Sequence, residues 1–283
     1  MNHLYISKEK LNNYPLFSKE YSVEAKIRIL NDQELLKIFH EVTKEKLETL
    51  ERILKYNKIL NQINEFLFFK DYIIDEKTHE ILGIIIDKSY EKNLFEYAKK
   101  AKFNDLIKVL KKIGQTLEHL KELKKAEPNL KGFAIGDLQE RNILIEEETH
   151  QIKIIDLDSC TFSTPTVYHS KNLVGLKNTL FPSNLSFKYQ LNNYKLINCN
   201  FNTDIYCYLM IILKLLFNYD ITTSKINIQS YSYHIENLLN QGLPKPIYDS
   251  LMALFKPINN LNPYQYLEDI PYKFERKKGH NPF

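Results

Sequence analysis

The sequence predicts an α+β fold in two parts. Residues 1–87 form a small β-rich part around one helix, and residues 88–283 a larger, mostly helical part. Three observations predict this. Short β-type runs cluster before residue 87, while the long runs of helical period come after it. Lys88 to Asn93, between them, is polar in the manner of a junction. The 283 residues are 43% hydrophobic and 26% charged, which is enough apolar chain for one large domain or two small ones.

Tyr21 to Leu30 and Glu34 to Phe39 are apolar runs split by the polar turn Asn31-Asp32-Gln33, the pattern of two strands. Thr43 to Leu60 carries Leu47, Leu50 and Leu54 at helical spacing. Thr43 is a suitable N-cap, and Lys46 stands where a capping box would have Glu. Phe66 to Ile74 and Glu80 to Asp87 read as two further strands. Asn104 to Leu123 is a long amphipathic helix with Leu106, Val109, Leu110, Ile113, Leu117 and Leu120 on one face, ending before Pro128. Short strands are expected at Ile143–Ile145 and Ile152–Ile155. Thr161 to Asn200 is Ser/Thr/Asn-rich and irregular, and a loop of that length inside a compact domain is usually functional. Asp204 to Phe217 is almost wholly apolar, so it should be a helix buried on all sides. Ser230–Asn240 and Ile247–Phe255 complete the helical part.

Composition excludes several classes. No apolar run reaches the roughly 20 residues a bilayer requires, and Met1 to Tyr14 has no apolar signal segment. Cys160, Cys199 and Cys207 cannot build a disulfide framework, so a cytoplasmic protein is expected. A net charge of +4 over 39 basic and 35 acidic residues does not point to nucleic acid. The eight histidines are scattered without metal-ligand spacing, and Cys160 reads as a packed thiol. There are 7 glycines in 283 residues, where a usual share of about 7% would give roughly 20.

The stretch that carries chemistry is Ile135-Gly136-Asp137-Leu138-Gln139-Glu140-Arg141-Asn142-Ile143-Leu144, followed by Ile154-Ile155-Asp156-Leu157-Asp158. It sets two Asp and one Asn at the ends of short strands. Phosphoryl transfer from ATP needs such a set. One carboxylate takes the proton of the acceptor hydroxyl, while an amide oxygen and a second carboxylate hold hard, oxygen-seeking Mg²⁺.

In these residues the chain resembles the protein kinase superfamily. Asp137-Leu138 and Asn142 match the catalytic-loop spacing, and Asp156 falls at the metal position after the hairpin. The resemblance covers roughly residues 20–270 and implies a two-lobed protein-kinase-like fold. It implies ATP as cofactor with Mg²⁺ or Mn²⁺, and a protein substrate of unknown identity. Asp137 would be the catalytic base, with Asn142 and Asp156 on the metal. Glu34 to Phe39 would be the strand carrying the nucleotide-binding lysine, Lys37. Glu51, on the face of Leu47, Leu50 and Leu54, would be its partner, unless it is a surface glutamate pairing Lys55. Ile84-Ile85-Ile86-Asp87 resembles the strand and hinge, placing adenine near Ile86, Asp87 and Lys88. Asp204 matches the residue that anchors the buried central helix.

The sequence departs from that family in four places. No glycine precedes Gly83, so the glycine-rich loop over the phosphates is absent, and Leu16 to Lys26 would cover the nucleotide by other means. The His-Arg-Asp triplet is Ile135-Gly136-Asp137. Asp-Phe-Gly is Asp156-Leu157-Asp158, where Asp158 is a loop cap or a third metal-side carboxylate. Gln139 replaces a lysine. Gly136 brings a small-molecule phosphotransferase into view, and the missing glycines a non-catalytic binding module. Gly136 also removes the arginine that would bind a phosphate on Ser163, Thr164, Thr166 or Tyr168, with Arg141 as the nearby rival. Activity independent of phosphorylation in that segment is therefore expected.

Overall fold

Near-continuous apolar runs, Leu35-Leu36 and Ile84-Ile85-Ile86 among them, build the N-terminal strands into one sheet. In the computed structural model, β1 (Leu4–Tyr5), β2 (Ala25–Ile29), β3 (Glu34–Phe39), β4 (Asp71–Ile74) and β5 (Ile81–Asp87) form a five-stranded sheet in the order β1-β4-β5-β3-β2. Only the β1–β4 pairing is parallel. The structure describes residues 3–17, 24–162, 201–219, 228–253 and 263–271. It gives the backbone alone at 166–167, 187–191, 194–197, 201–202 and 228–230. The chain divides into two units, Met1–Tyr90 with Ile155–Asp158, and Glu91–Ile154 with Ser159–Phe283.

In the first unit, Leu36, Ile73, Leu82 and Ile85 pack against Ile6 and Leu11 of the N-terminal segment, which includes α1 (Lys8–Leu11). Helix α2 (Lys44–Leu60) starts at Thr43, whose hydroxyl accepts from the Lys46 N–H at 3.2 Å, a side-chain N-cap. It buries Thr49, Leu50, Ile53 and Leu60. Gly83, opposite Ile38, is required by close approach, because a Cβ there would run into the Lys37 carbonyl oxygen. The strand expected over Phe66–Ile74 begins at Asp71; Phe66, Phe68 and Phe69 are buried but outside any strand. Of the run expected over Tyr21–Leu30, the strand covers Ala25–Ile29, and residues 21–23 lie outside the described residues.

The second unit carries β6 (Lys92–Asn93), α3 (Leu94–Ala98), α4 (Phe103–Ala126), β7 (Phe133–Ala134), β8 (Ile143–Ile145), β9 (Ile152–Ile154) and β10 (Thr161–Phe162). Strands β6, β8 and β9 form a three-stranded antiparallel sheet, and β7 pairs with β10. The stretch expected to be irregular holds β11 (Thr166–Val167), β12 (Phe187–Leu191) and β13 (Tyr194–Ile197), one small sheet. Helix α5 (Phe201–Phe217) has every residue from Thr203 to Leu216 buried, as its composition requires. The Tyr208 hydroxyl donates to the Leu110 carbonyl of α4 at 2.8 Å. Lys214, a cation inside this helix, meets the equally buried Glu140 at 3.4 Å. Helices α6 (Ile228–Asn240) and α7 (Lys245–Met252) are joined by the Tyr231 hydroxyl, which donates to the Leu251 carbonyl. Residues 254–255, expected to extend the last of these, lie outside the described residues. No helix among the described residues is long and apolar enough to cross a membrane.

Candidate active site

Within the first unit the chemistry gathers at Lys37. Its neighbours across the sheet are Ile27 on β2 and Ile84 on β5. Directly paired residues share a face, and so do residues two apart along a strand. Leu35, Lys37, Ile84 and Ile86 therefore lie on one face. Asp87 points to the other, where its carboxylate meets Lys70 at 2.6 Å. The Lys88 N–H donates to the Gln33 carbonyl at 2.7 Å. Of the residues expected near adenine, Ile86 shares the face of Lys37 and Asp87 does not.

The Lys37 side chain is 8% exposed, and its ammonium donates to two carboxylates. One is Asp156. The other is Asp158, at 2.7 Å. Burial alone would push this ammonium down; Asp156 and Asp158 outweigh it and hold its pKa above the usual value. Asp156 has φ +64°, a left-handed conformation that Asp adopts more readily than most residues. Burial raises its carboxyl pKa against the pull of Lys37. Asp158 is only 3% exposed, and burial would raise it too. Lys37 and Lys46 together overcome that and hold it well below the usual carboxylate range.

Lys46 completes the cluster. From the first turn of α2 its ammonium donates to Asp158 Oδ2 at 2.8 Å and to the Asp158 carbonyl at 3.2 Å, and it pairs with Glu24 at 2.7 Å. It also stands 5.1 Å from the centre of the Phe39 ring. Glu51, the expected partner of Lys37, is exposed. The expectation that it points inward is corrected: the helix buries Leu50 and Ile53, which turns Glu51 outward. The carboxylates on Lys37 come from the Asp156–Asp158 turn. Asp158 is therefore not a loop cap. A signal for Lys46 was present in the sequence, because a lysine at the capping-box position gains nothing from the cap and faces an Asp-x-Asp segment with one carboxylate more than expected.

Within the second unit, Asp137 follows β7 in a loop pinned from behind. The fully buried Asp204 carboxylate accepts the Ile135 N–H at 2.9 Å and the Gly136 N–H at 3.1 Å. Burial pushes the Asp204 carboxyl up to about 6, against these two bonds and the charge of Lys124. Gly136 has φ +80°, and a Cβ there would stand 3.0 Å from the Ser159 carbonyl oxygen. Asp137 Oδ2 accepts from Asn142 Nδ2 and from Gln139 Nε2, both at 2.8 Å, and Asn142 Nδ2 reaches the Asp137 carbonyl at 3.0 Å. Gln139 is thus a ligand of Asp137, a role its sequence position did not reveal. Arg141 lies exposed, 4.8 Å from the centre of the Phe95 ring. Ser163, Thr164 and Tyr168 lie outside the described residues, and Thr166 is described in backbone only.

Carboxylate oxygens of Glu24, Asp156 and Asp158 lie within 4.8 Å of one another. An all-oxygen donor set suits Mg²⁺ or Mn²⁺ and not a soft metal.

No family model matches the chain, and no curated protein matches it in sequence. Among solved structures it is similar to the kinase PK-1 of Cydia pomonella granulovirus. The likeness covers 93% of this chain and 96% of that one, at 14% identity and a TM-score of 0.51. At that identity it shows the fold: two-lobed and protein-kinase-like, with a β-rich N-terminal lobe and a helical C-terminal lobe.

Proposed function

We propose that this protein is an ATP-dependent protein kinase that transfers the γ-phosphate to a Ser, Thr or Tyr hydroxyl. The observation that supports this most is the buried Lys37 bound to Asp156 across 119 residues of sequence, in a chain of kinase-like fold. Neither a buried lysine nor a left-handed aspartate arises at no cost, and together they match a phosphate ligand beside a metal ligand. Mg·ATP, when bound, supplies the phosphoryl group and the charge that screens it. Lys37 would hold the phosphates. Asp156 and Asn142 would hold the cation: with Asn142 Nδ2 committed to Asp137, its amide oxygen is the atom to meet a metal. Asp137 would take the proton of the attacking hydroxyl onto Oδ1 or Oδ2, with Gln139 and Asn142 fixing its rotamer.

Thermal shift with ATP and Mg²⁺ or Mn²⁺, followed by labelled ATP, tests the reading. Stabilisation by nucleotide and label on the protein or an added protein substrate are expected. No stabilisation with either metal would overturn it. The absence of any glycine before Gly83 favours one other reading, a nucleotide-binding module without transfer, which stabilisation without label would support.

A further inference from the structure

In the site described above, the carboxylates of α2 do not meet Lys37. Glu45, Glu48 and Glu51 are all exposed. The residue that α2 does send to the cluster is a cation, Lys46. Asp158 stands between the two lysines with its oxygens divided, Oδ1 on Lys37 at 2.7 Å and Oδ2 on Lys46 at 2.8 Å. Its backbone carbonyl takes a second bond from Lys46, and the short 3-10 turn Leu157–Ser159 fixes its backbone. A doubly bonded, buried carboxylate has almost no rotamer freedom left, so whatever it holds is held in place.

We infer that Asp158 is the positioning residue for Lys37, in place of a helix glutamate, and that Lys46 is the contribution of α2 to that clamp. The inference rests on the nucleotide reading for its purpose, but the clamp itself is a property of the protein alone. Lys37 bonds to both Asp156 and Asp158, so a cation drawing on Asp156 would leave Asp158 as the carboxylate of the lysine. One turn would then carry the metal carboxylate and, two residues on, the lysine's anchor. This arrangement aims Lys37 from the loop, and α2 reaches the clamp through Lys46.

The test uses the full chain and two readouts. The first is calorimetric affinity for ADP in EDTA. Lys37→Met and Asp158→Asn should each weaken it tenfold or more. The double variant should match Lys37→Met within twofold, because Asp158 acts through Lys37. Parental affinity in Asp158→Asn, or additive losses in the double variant, would overturn the inference. The second readout needs no nucleotide: acetylation of Lys37 by an N-hydroxysuccinimide ester, followed by mass spectrometry. Freed from Asp158, Lys37 should react at least tenfold faster, while Lys124, bonded to the Phe133 carbonyl in the second unit, keeps its rate. An unchanged Lys37 rate would overturn the clamp. A faster Lys37 in a protein that binds no ADP would keep the clamp and remove the nucleotide reading. Should Asp158→Asn unfold, exposing Lys124 as well, Lys46→Met is decisive. It should weaken ADP binding threefold or more, and parental affinity would overturn the role of Lys46.

Discussion

Asp204 offers a sharp test of how the Asp137 loop is held. Its carboxylate is fully buried and accepts the amides of Ile135 and Gly136, the two residues before Asp137. Asp204→Ala strands both donors in the interior. A buried unsatisfied amide costs about 1–3 kcal/mol, so about 2–6 kcal/mol is expected, a large share of the roughly 5–15 kcal/mol of a typical domain. Asp204→Asn keeps one acceptor oxygen and should cost about half as much, since one buried donor in place of two is lost. The two variants differ further in pH dependence. The carboxyl pKa rises from an ordinary 3.8 to about 6, chiefly through burial. A folded state that holds a proton more tightly than the unfolded one is stabilised where that proton is bound. The contribution is full below pH 3.8 and is lost as pH rises through 6. At about 1.4 kcal/mol per pH unit, the parent loses about 3 kcal/mol from this group alone. The stability gap between parent and Asp204→Asn should therefore narrow from pH 4 to pH 7, other carboxylates cancelling in the difference. Urea denaturation followed by circular dichroism measures both effects. Asp204→Ala within about 0.5 kcal/mol of the parent, the spread of neutral surface changes, would refute the argument, as would a gap that is flat in pH.

Other expectations follow from the same geometry. Asp137→Asn should slow phosphoryl transfer by a hundredfold or more, the usual worth of a general base, with ATP affinity unchanged by calorimetry. Asp156→Asn should instead lose the metal-dependent part of ATP affinity, seen by comparing titrations with Mg²⁺ and with EDTA. Gly83→Ala drives a Cβ into the Lys37 backbone carbonyl, where no side chain can yield; a loss of about 3 kcal/mol, the upper end of overpacking costs, should appear in urea denaturation. Phosphatase treatment, checked by mass spectrometry, should leave initial rates within error, because Gly136 offers no guanidinium to an activating phosphate and Arg141 is stacked on Phe95.

Much of the fold was legible because its signals are periodic. The apolar face of α4 and the all-round apolar α5 are decided by side-chain spacing, and both lie where the sequence puts them. The Phe66–Phe69 run misled because buried aromatics satisfy a strand pattern without a strand partner. In the site, Asp137, Asn142, Asp156 and Asp204 were singled out by the resemblance to protein kinases, and the structure joins Asn142 to Asp137 and Asp156 to Lys37. The place of Glu51 was not legible, because a helical wheel gives relative angles and not absolute rotation. Adding Ile53 and Thr49 to Leu50 turns the buried face by part of a turn and puts Glu51 outside. Lys46, Glu24 and Gln139 were invisible to periodicity, since each is defined by a partner distant in sequence or by a side-chain hydrogen bond.

The two departures at Lys46 and Asp158 explain one another. A carboxylate at 158, buried beside Asp156, would set two like charges together on the single cation Lys37. A lysine at 46 without it would be a largely buried ammonium with only the exposed-side Glu24 for company. Breaking one partner of a buried ion pair costs about 3–5 kcal/mol, so either departure alone carries a penalty of that order. Together they cancel. Glu24, Asp156 and Asp158 bring three negative charges and Lys37 and Lys46 two positive ones, so a single negative charge remains where a divalent cation would enter. A carboxylate on α2 with a glycine at 158 would instead anchor Lys37 from the helix. The difference is mechanical. A helix-borne carboxylate makes the aim of Lys37 depend on where the helix sits; a loop-borne one ties that aim to the same turn that presents Asp156. In a chain with so few glycines, a turn stiffened by bonded side chains at Asp156 and Asp158 also does without the flexibility a glycine would lend there.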